Sequence, residues 1–137
     1  MTKSGSSVVL DSYAVLAFLF EEPGGEAVRV LLKSAADTGA RHLITAVNWA
    51  EVRNAVERMR GSFRSWELTK QELEQLPLEV VSTDKALAEQ AGQFKARGGV
   101  SLADCFAAAL AQREGAFLCT GDPEFKRLEK DIRINWI

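Results

Sequence analysis

The stretch VVLDSYAVLAFLF, residues 8–20, decides the fold of this chain. Its first three residues form a short apolar run rich in β-branched side chains, which is typical of a strand buried on both faces of a sheet. The run ends at Asp11, and residues 12–20 are apolar and compatible with a helix, which Pro23, Gly24 and Gly25 then terminate. A buried strand followed at once by a helix predicts the first unit of a parallel α/β sheet.

The same alternation continues to the end of the chain. The patterns predict strands over residues 8–10, 42–44, 78–82, 116–119 and 132–136, and helices over 12–20, 26–36, 45–59, 65–76, 84–97 and 101–114, with a helical turn near 123–128. This order predicts an α/β fold, a three-layer α/β/α sandwich with a mostly parallel central sheet. With 137 residues and no interdomain linker, we expect one domain spanning residues 1–137.

Composition restricts the classes of partner. Seventeen basic and nineteen acidic residues give a net charge of −2, whereas proteins that bind nucleic acid by broad phosphate neutralisation are usually basic. Any nucleic-acid contact must therefore rest on local basic patches or on bound cations. No apolar stretch reaches the length of a membrane span, so we expect a cytoplasmic protein without a membrane partner.

Four acidic residues are placed where chemistry occurs in parallel sheets. Asp11 and Asp122 follow predicted strands, whereas Glu51 and Asp104 lie in the first two turns of predicted helices. In open parallel sheets, binding sites form beyond the carboxyl ends of the strands, so all four should reach one edge. Asp104 is the most informative, because it is the only acidic or basic residue between Leu102 and Gln112.

Each acid also has a purely structural interpretation. Asp11 and Asp122 are suited to cap the helices that follow them, and Ser101 with Asp104 matches a capping box. Glu51 is suited to pair with Arg53 or Arg58. Four separate roles explain each position but not why all four converge on one edge of the sheet.

Clustered carboxylates repel one another, and a hard divalent cation removes that penalty. We therefore predict Mg²⁺ or Mn²⁺ bound by Asp11, Glu51, Asp104 and Asp122, with no histidine or cysteine cluster to suggest zinc. Such a cation suits the hydrolysis of phosphodiester bonds. Thr120 is a candidate for orienting a carboxylate or a water molecule, or is simply a turn hydroxyl.

Four blocks of sequence, together with the closing INWI, resemble a known family. They are VVLDSYAVLAFLFEEPG at 8–24, TAVNWAEVRNAV at 45–56, RGGVSLADCFAAALA at 97–111 and FLCTGDPEFKRLE at 117–129. In order and spacing they resemble the PIN-domain ribonucleases, and most of all the VapC-type toxins of bacterial toxin–antitoxin pairs. The resemblance covers nearly the whole chain.

The resemblance implies a metal-dependent endoribonuclease. It implies that the acids at positions 11, 51, 104 and 122 hold the cation, that Thr120 is a polar helper, and that the chain forms homodimers and binds a VapB-like antitoxin. Basic side chains cluster near the Glu51 helix and before the Asp104 block, so we expect some of them to contact the phosphates of the RNA substrate. The candidates for phosphate contacts are Arg53, Arg58, Lys95 and Arg97, although each also fits an ordinary solvated helix face.

Other classes of function compete with this interpretation. A PIN-like fold without catalysis, acting as an RNA-binding or regulatory module, would not need all four acids. A phosphoacceptor receiver domain usually has paired acids after its first strand, but Leu10 and Ser12 flank Asp11 here. A phosphatase of the haloacid-dehalogenase type would need a second aspartate two residues after Asp11, where this chain has Tyr13.

Overall fold

The chain folds around a five-stranded parallel sheet. A computed structural model describes residues 7–137, and residues 1–6 of the predicted domain lie outside the described part. The strands lie in the order β3-β2-β1-β4-β5, and every neighbouring pair is parallel. In chain order the elements are β1 (Val8–Leu10), α1 (Ser12–Leu19), α2 (Gly25–Thr38), β2 (His42–Thr45), α3 (Ala46–Arg60), α4 (Phe63–Glu74), β3 (Leu78–Val81), α5 (Lys85–Ala96), α6 (Leu102–Glu114), β4 (Phe117–Thr120), a 3₁₀ helix (Pro123–Leu128) and β5 (Ile134–Trp136).

The sheet separates two hydrophobic cores. Because successive strand residues point to opposite faces, Val9 packs with α5, α6 and the 3₁₀ helix, whereas Leu10 packs with α1 to α4. Both residues are fully buried, as the apolar run at the start of the chain predicts. The predicted three-layer α/β/α sandwich is therefore confirmed.

Polar side chains set the starts of the helices. Thr45 and Asp84 accept hydrogen bonds from backbone amides in the first turns of α3 and α5. The fourth helix begins at Phe63 rather than near Ser65, because Ser62 caps it. The last strand begins at Ile134 rather than at Ile132, whose amide still donates to Leu128 O in the preceding turn.

The single histidine belongs to the scaffold. His42 is buried on β2, where Nδ1 accepts a hydrogen bond from Val8 N at 3.0 Å and Nε2 lies 3.2 Å from Leu31 O. Burial lowers its pKa, which favours the neutral ring that this pair of partners requires. Within residues 7–137 we find no helix with the length and apolar character needed to span a membrane.

Candidate active site

Asp11 and Thr120 connect the ends of two neighbouring strands. Asp11 follows β1 and Thr120 ends β4, and the Thr120 hydroxyl donates to Asp11 Oδ2 at 2.6 Å. The other oxygen, Oδ1, accepts from Ala14 N at 2.9 Å and so caps α1. The capping interpretation is thus correct for one oxygen of Asp11, while the second belongs to a long-range polar contact.

Asp104, Asp122 and Glu124 bring their carboxylates together. One oxygen from each lies within 4.8 Å of the others. Asp122 is held in place twice, because its amide donates to Thr120 Oγ1 at 3.0 Å and its Oδ1 accepts from Glu124 N at 2.9 Å. Thr120 therefore contacts both Asp11 and Asp122, which places Asp11 directly beside this three-carboxylate group.

The predicted capping box at the start of α6 forms with a different acid. Ser101 Oγ accepts from Asp104 N at 3.2 Å, as expected. The reciprocal bond, from Ser101 N, goes to Glu124 Oε1 at 3.3 Å and not to Asp104. The Asp104 side chain therefore does not accept the Ser101 amide, and it lies with Asp122 and Glu124.

Glu51 is held by polar neighbours and not by an arginine. Ser12 Oγ donates to Glu51 Oε1 at 2.7 Å, and Asn48 Nδ2 donates to the same oxygen at 3.1 Å. The alternative partner Arg53 instead pairs with Glu57 at 2.6 Å. Because Ser12 directly follows Asp11 in the chain, the first turn of α1 connects Glu51 to the site.

The site concentrates negative charge. Burial, followed by the nearby charges of Asp122 and Glu51, raises the pKa of Asp11 to about 7 against the lowering effect of its hydrogen bonds from Thr120 and Ala14. Burial, the hydrogen bond with Glu124, and the charges of Asp122 and Asp11 raise the pKa of Asp104 to about 8. Within residues 7–137, none of these five acids forms an ion pair with a lysine or arginine.

The donor set fits a hard divalent cation. The available ligand atoms are the carboxylate oxygens of the three-carboxylate group, which contains no cysteine and no histidine. Asp11 and Glu51 lie beside this group. Mg²⁺ and Mn²⁺ prefer such oxygen ligands, and a doubly positive ion would favour the ionised carboxylates against the burial and the neighbouring charges that raise the pKa values of Asp11 and Asp104.

Sequence reasoning missed Glu124. It belongs to the three-carboxylate group together with Asp104 and Asp122, whereas Asp11 and Glu51 lie outside that group. Pro123 was the available signal, because a proline after Asp122 predicts the start of a short helix, which places Glu124 in its first turn. Asn48 and Ser12, which hold Glu51, gave no signal beyond being short polar residues.

The basic residues proposed for RNA contacts mostly have partners within the chain. Arg53 pairs with Glu57, and Arg97 pairs with Asp131 at 2.6 Å and stacks on Phe94. Lys95 Nζ donates to a backbone carbonyl, Val100 O, at 3.0 Å. Arg58 and Lys95 form no ion pair among residues 7–137, and the predicted RNA path stays a prediction.

The fold and the site together define a class: an α/β domain with a carboxylate cluster beyond the carboxyl ends of its parallel strands, the usual place for a ligand in such sheets. The model of the PIN domain family matches residues 8–131. The chain belongs to the PIN domain family, as its sequence blocks indicated.

Several solved structures share the fold. The chain is similar to DNA-bound VapBC from Salmonella typhimurium, with a TM-score of 0.71 and 23% identity over 94% of this chain and 96% of that one. It is also similar to VapBC2 from Rickettsia felis bound to a promoter DNA fragment, with a TM-score of 0.70 and 17% identity over 93% and 96%.

A third similar structure is VapC20 from Mycobacterium tuberculosis, described as a toxin that cleaves the sarcin–ricin loop. Its TM-score is 0.68, with 17% identity over 88% of this chain and 94% of that one. The sequence has no significant match among curated proteins.

Proposed function

We propose that this chain is a magnesium- or manganese-dependent endoribonuclease and the toxin of a VapBC-type toxin–antitoxin pair. One observation carries the proposal: the carboxylates of Asp104, Asp122 and Glu124 lie within 4.8 Å of one another, with Asp11 and Glu51 nearby. Among residues 7–137 none of these acids forms an ion pair with a lysine or arginine. The family membership and the similarity to a toxin described as cleaving the sarcin–ricin loop support RNA as the substrate.

The residues have separate roles in this proposal. Asp104, Asp122 and Glu124 hold the cation, together with Asp11 and Glu51 at the edge of the group. When bound, the cation lowers the pKa of a water molecule and stabilises negative charge on the attacked phosphate. Thr120 orients Asp11 by donating to its Oδ2, while Ser12 and Asn48 fix the carboxylate of Glu51.

The direct test is RNA cleavage by matched variants. We expect wild-type protein to cleave single-stranded RNA with Mg²⁺ or Mn²⁺ and to lose cleavage in excess chelator. Asp104→Asn should abolish cleavage, whereas Asp37→Asn, at an exposed acid of α2, should cleave as wild type does. Full cleavage by Asp104→Asn would contradict the assignment, and an intact wild type without activity would favour a non-catalytic RNA-binding module.

The partner proposal has its own test. The similar structures from Salmonella and Rickettsia are complexes of a VapC with its VapB, so we propose an antitoxin of this type and a homodimeric toxin acting in the cytoplasm. Expression of the chain should stop growth, and co-expression of a small neighbouring gene should relieve the arrest. Sequencing of RNA ends after brief expression, with Asp104→Asn as the reference, will identify the RNA and the cut sequence.

A further inference from the structure

Tyr13 is an exposed aromatic residue at the rim of the candidate active site. It lies in the first turn of α1, two residues after Asp11 and directly after Ser12, which donates to Glu51. The residue is 42% exposed, and among residues 7–137 its hydroxyl has no hydrogen-bond partner. A tyrosine that only filled the core would be fully buried and would bond its hydroxyl, whereas Tyr13 is partly exposed and its hydroxyl is open.

The ring of Tyr13 packs against Gly121. A Cβ at position 121 would lie 2.3 Å from Tyr13 Cε1 and 2.8 Å from Cζ, so no larger residue fits without moving the ring. Gly121 is not among the glycines with positive φ, so its backbone conformation does not itself require glycine. The close approach of the ring explains the glycine, and it places Tyr13 against the backbone between Thr120 and Asp122.

Two neighbouring contacts therefore join the start of α1 to the end of β4 and the loop that follows it. The Asp11–Thr120 hydrogen bond holds the carboxylate in the site, and the Tyr13–Gly121 contact holds the aromatic ring at its edge. The ring is thus fixed relative to the acids although much of it faces solvent.

The charge of the site favours a neutral contact at this position. Next to several carboxylates, a flat uncharged ring can bind the uncharged part of a nucleotide without electrostatic cost, whereas the phosphates need a cation. Exposed aromatic side chains are the usual partners for unstacked bases of single-stranded RNA. The open hydroxyl offers one further hydrogen bond to a base edge or a ribose.

The other aromatic candidates are less suitable. Trp66 is buried, and Trp49 packs against it edge to face with ring centroids 5.3 Å apart. Phe63 is exposed but follows the far end of α3, whose rise of about 1.5 Å per residue puts its last residue, Arg60, roughly 13 Å beyond Glu51. Trp136 is also exposed and pairs in register with Thr120, but its indole N–H donates to Glu129 at 2.9 Å, whereas Tyr13 packs on Gly121 between Thr120 and Asp122.

We propose that Tyr13, seated on Gly121, stacks on the nucleobase next to the phosphate that the enzyme cuts. This inference rests on the proposed ribonuclease function and adds the residue that binds the base. Stacking of this kind is tolerant of base identity, so Tyr13 contributes affinity and alignment more than strict sequence choice.

The test uses the RNA that the wild type cuts, as a short single-stranded oligonucleotide carrying the mapped cut sequence. Tyr13→Ala should raise KM about 10- to 100-fold, with the loss in KM and not in kcat. Tyr13→Phe should stay within a few fold of wild type, and Tyr13→Leu, which still covers Gly121, should behave like Tyr13→Ala. Phe117→Ala is the matched control, because Phe117 is 41% exposed but begins β4 at the opposite end of the strand.

Abasic substitutions in the oligonucleotide identify the stacked base. Removing the base on one side of the cut should weaken wild-type cleavage as much as Tyr13→Ala does, and should cause no further loss in the Tyr13→Ala enzyme. Additive losses, or a Tyr13→Ala enzyme with wild-type KM and an unchanged melting temperature, would overturn the inference while leaving the ribonuclease intact. If a folded wild type cuts no RNA, the proposed function fails, and this inference fails with it.

Discussion

Replacing Asp104 with asparagine should stabilise the metal-free protein. In the folded chain this carboxyl is 7% exposed and lies beside Asp122 and Glu124, which raises its pKa to about 8 from an ordinary value of 3.8. The unfolded chain ionises near the ordinary value, so between these two pH values the folded state binds more protons. Wild-type stability must therefore fall as pH rises through this range.

The pKa shift sets the size of the effect. One pKa unit corresponds to about 1.4 kcal/mol, so a rise in the pKa of Asp104 from 3.8 to about 8 sets an upper bound of about 6 kcal/mol on its cost at alkaline pH. The asparagine amide is still a buried polar group and retains part of that penalty. We expect a gain of about 2 kcal/mol, which for a chain of this length raises Tm by roughly 5–10 °C.

The assay is urea and thermal unfolding in excess chelator at about pH 5, 7 and 8.5. The difference between Asp104→Asn and wild type should be small at the lowest pH and largest at the highest. Asp37→Asn, at an exposed acid paired with Lys33, should stay within about 0.5 kcal/mol throughout. An Asp104→Asn protein that is folded but no more stable than wild type at pH 8.5 would refute the electrostatic reasoning.

Two further predictions concern the metal site, and a third concerns the packing of the fold. Glu124→Gln should weaken Mn²⁺ binding about 10- to 100-fold, measured by calorimetry, because it removes one of three clustered carboxylates; unchanged affinity would exclude Glu124 as a ligand. Mn²⁺ affinity should rise with pH up to about 8 and binding should release protons, because Asp11 and Asp104 hold protons near neutral pH in the metal-free chain. Gly25→Ala should destabilise the fold by about 2 kcal/mol or more, because a Cβ at position 25 would lie 2.3 Å from Ala17 O. Gly92→Ala is the matched control: position 92 on α5 has open space around it, so alanine there should stabilise the fold by about 0.5–1 kcal/mol. Urea titration measures both changes.

The sequence predicted the elements well because their signals are local. A buried strand such as Val8–Leu10 shows as an apolar run, and a helix start such as Thr45 shows as a capping residue before a periodic pattern. The rule that parallel strands present their carboxyl ends at one edge then placed Asp11, Asp104 and Asp122 in the same region. The shifted starts of α4 and β5 came from short-range hydrogen bonds of Ser62 and Ile132, which residue patterns do not resolve.

The amino-acid sequence alone determined the layered α/β architecture and the acidic character of the strand ends, since both depend on residue type and spacing along the chain. Only the tertiary structure decided which acids share a site, because that depends on distances between segments far apart in sequence. Glu124, from the 3₁₀ helix, accepts the amide of Ser101 in place of Asp104, whose carboxylate lies with Glu124 and Asp122. In the same way, Ser12 holds Glu51 across 39 positions of sequence, a contact that no local propensity encodes.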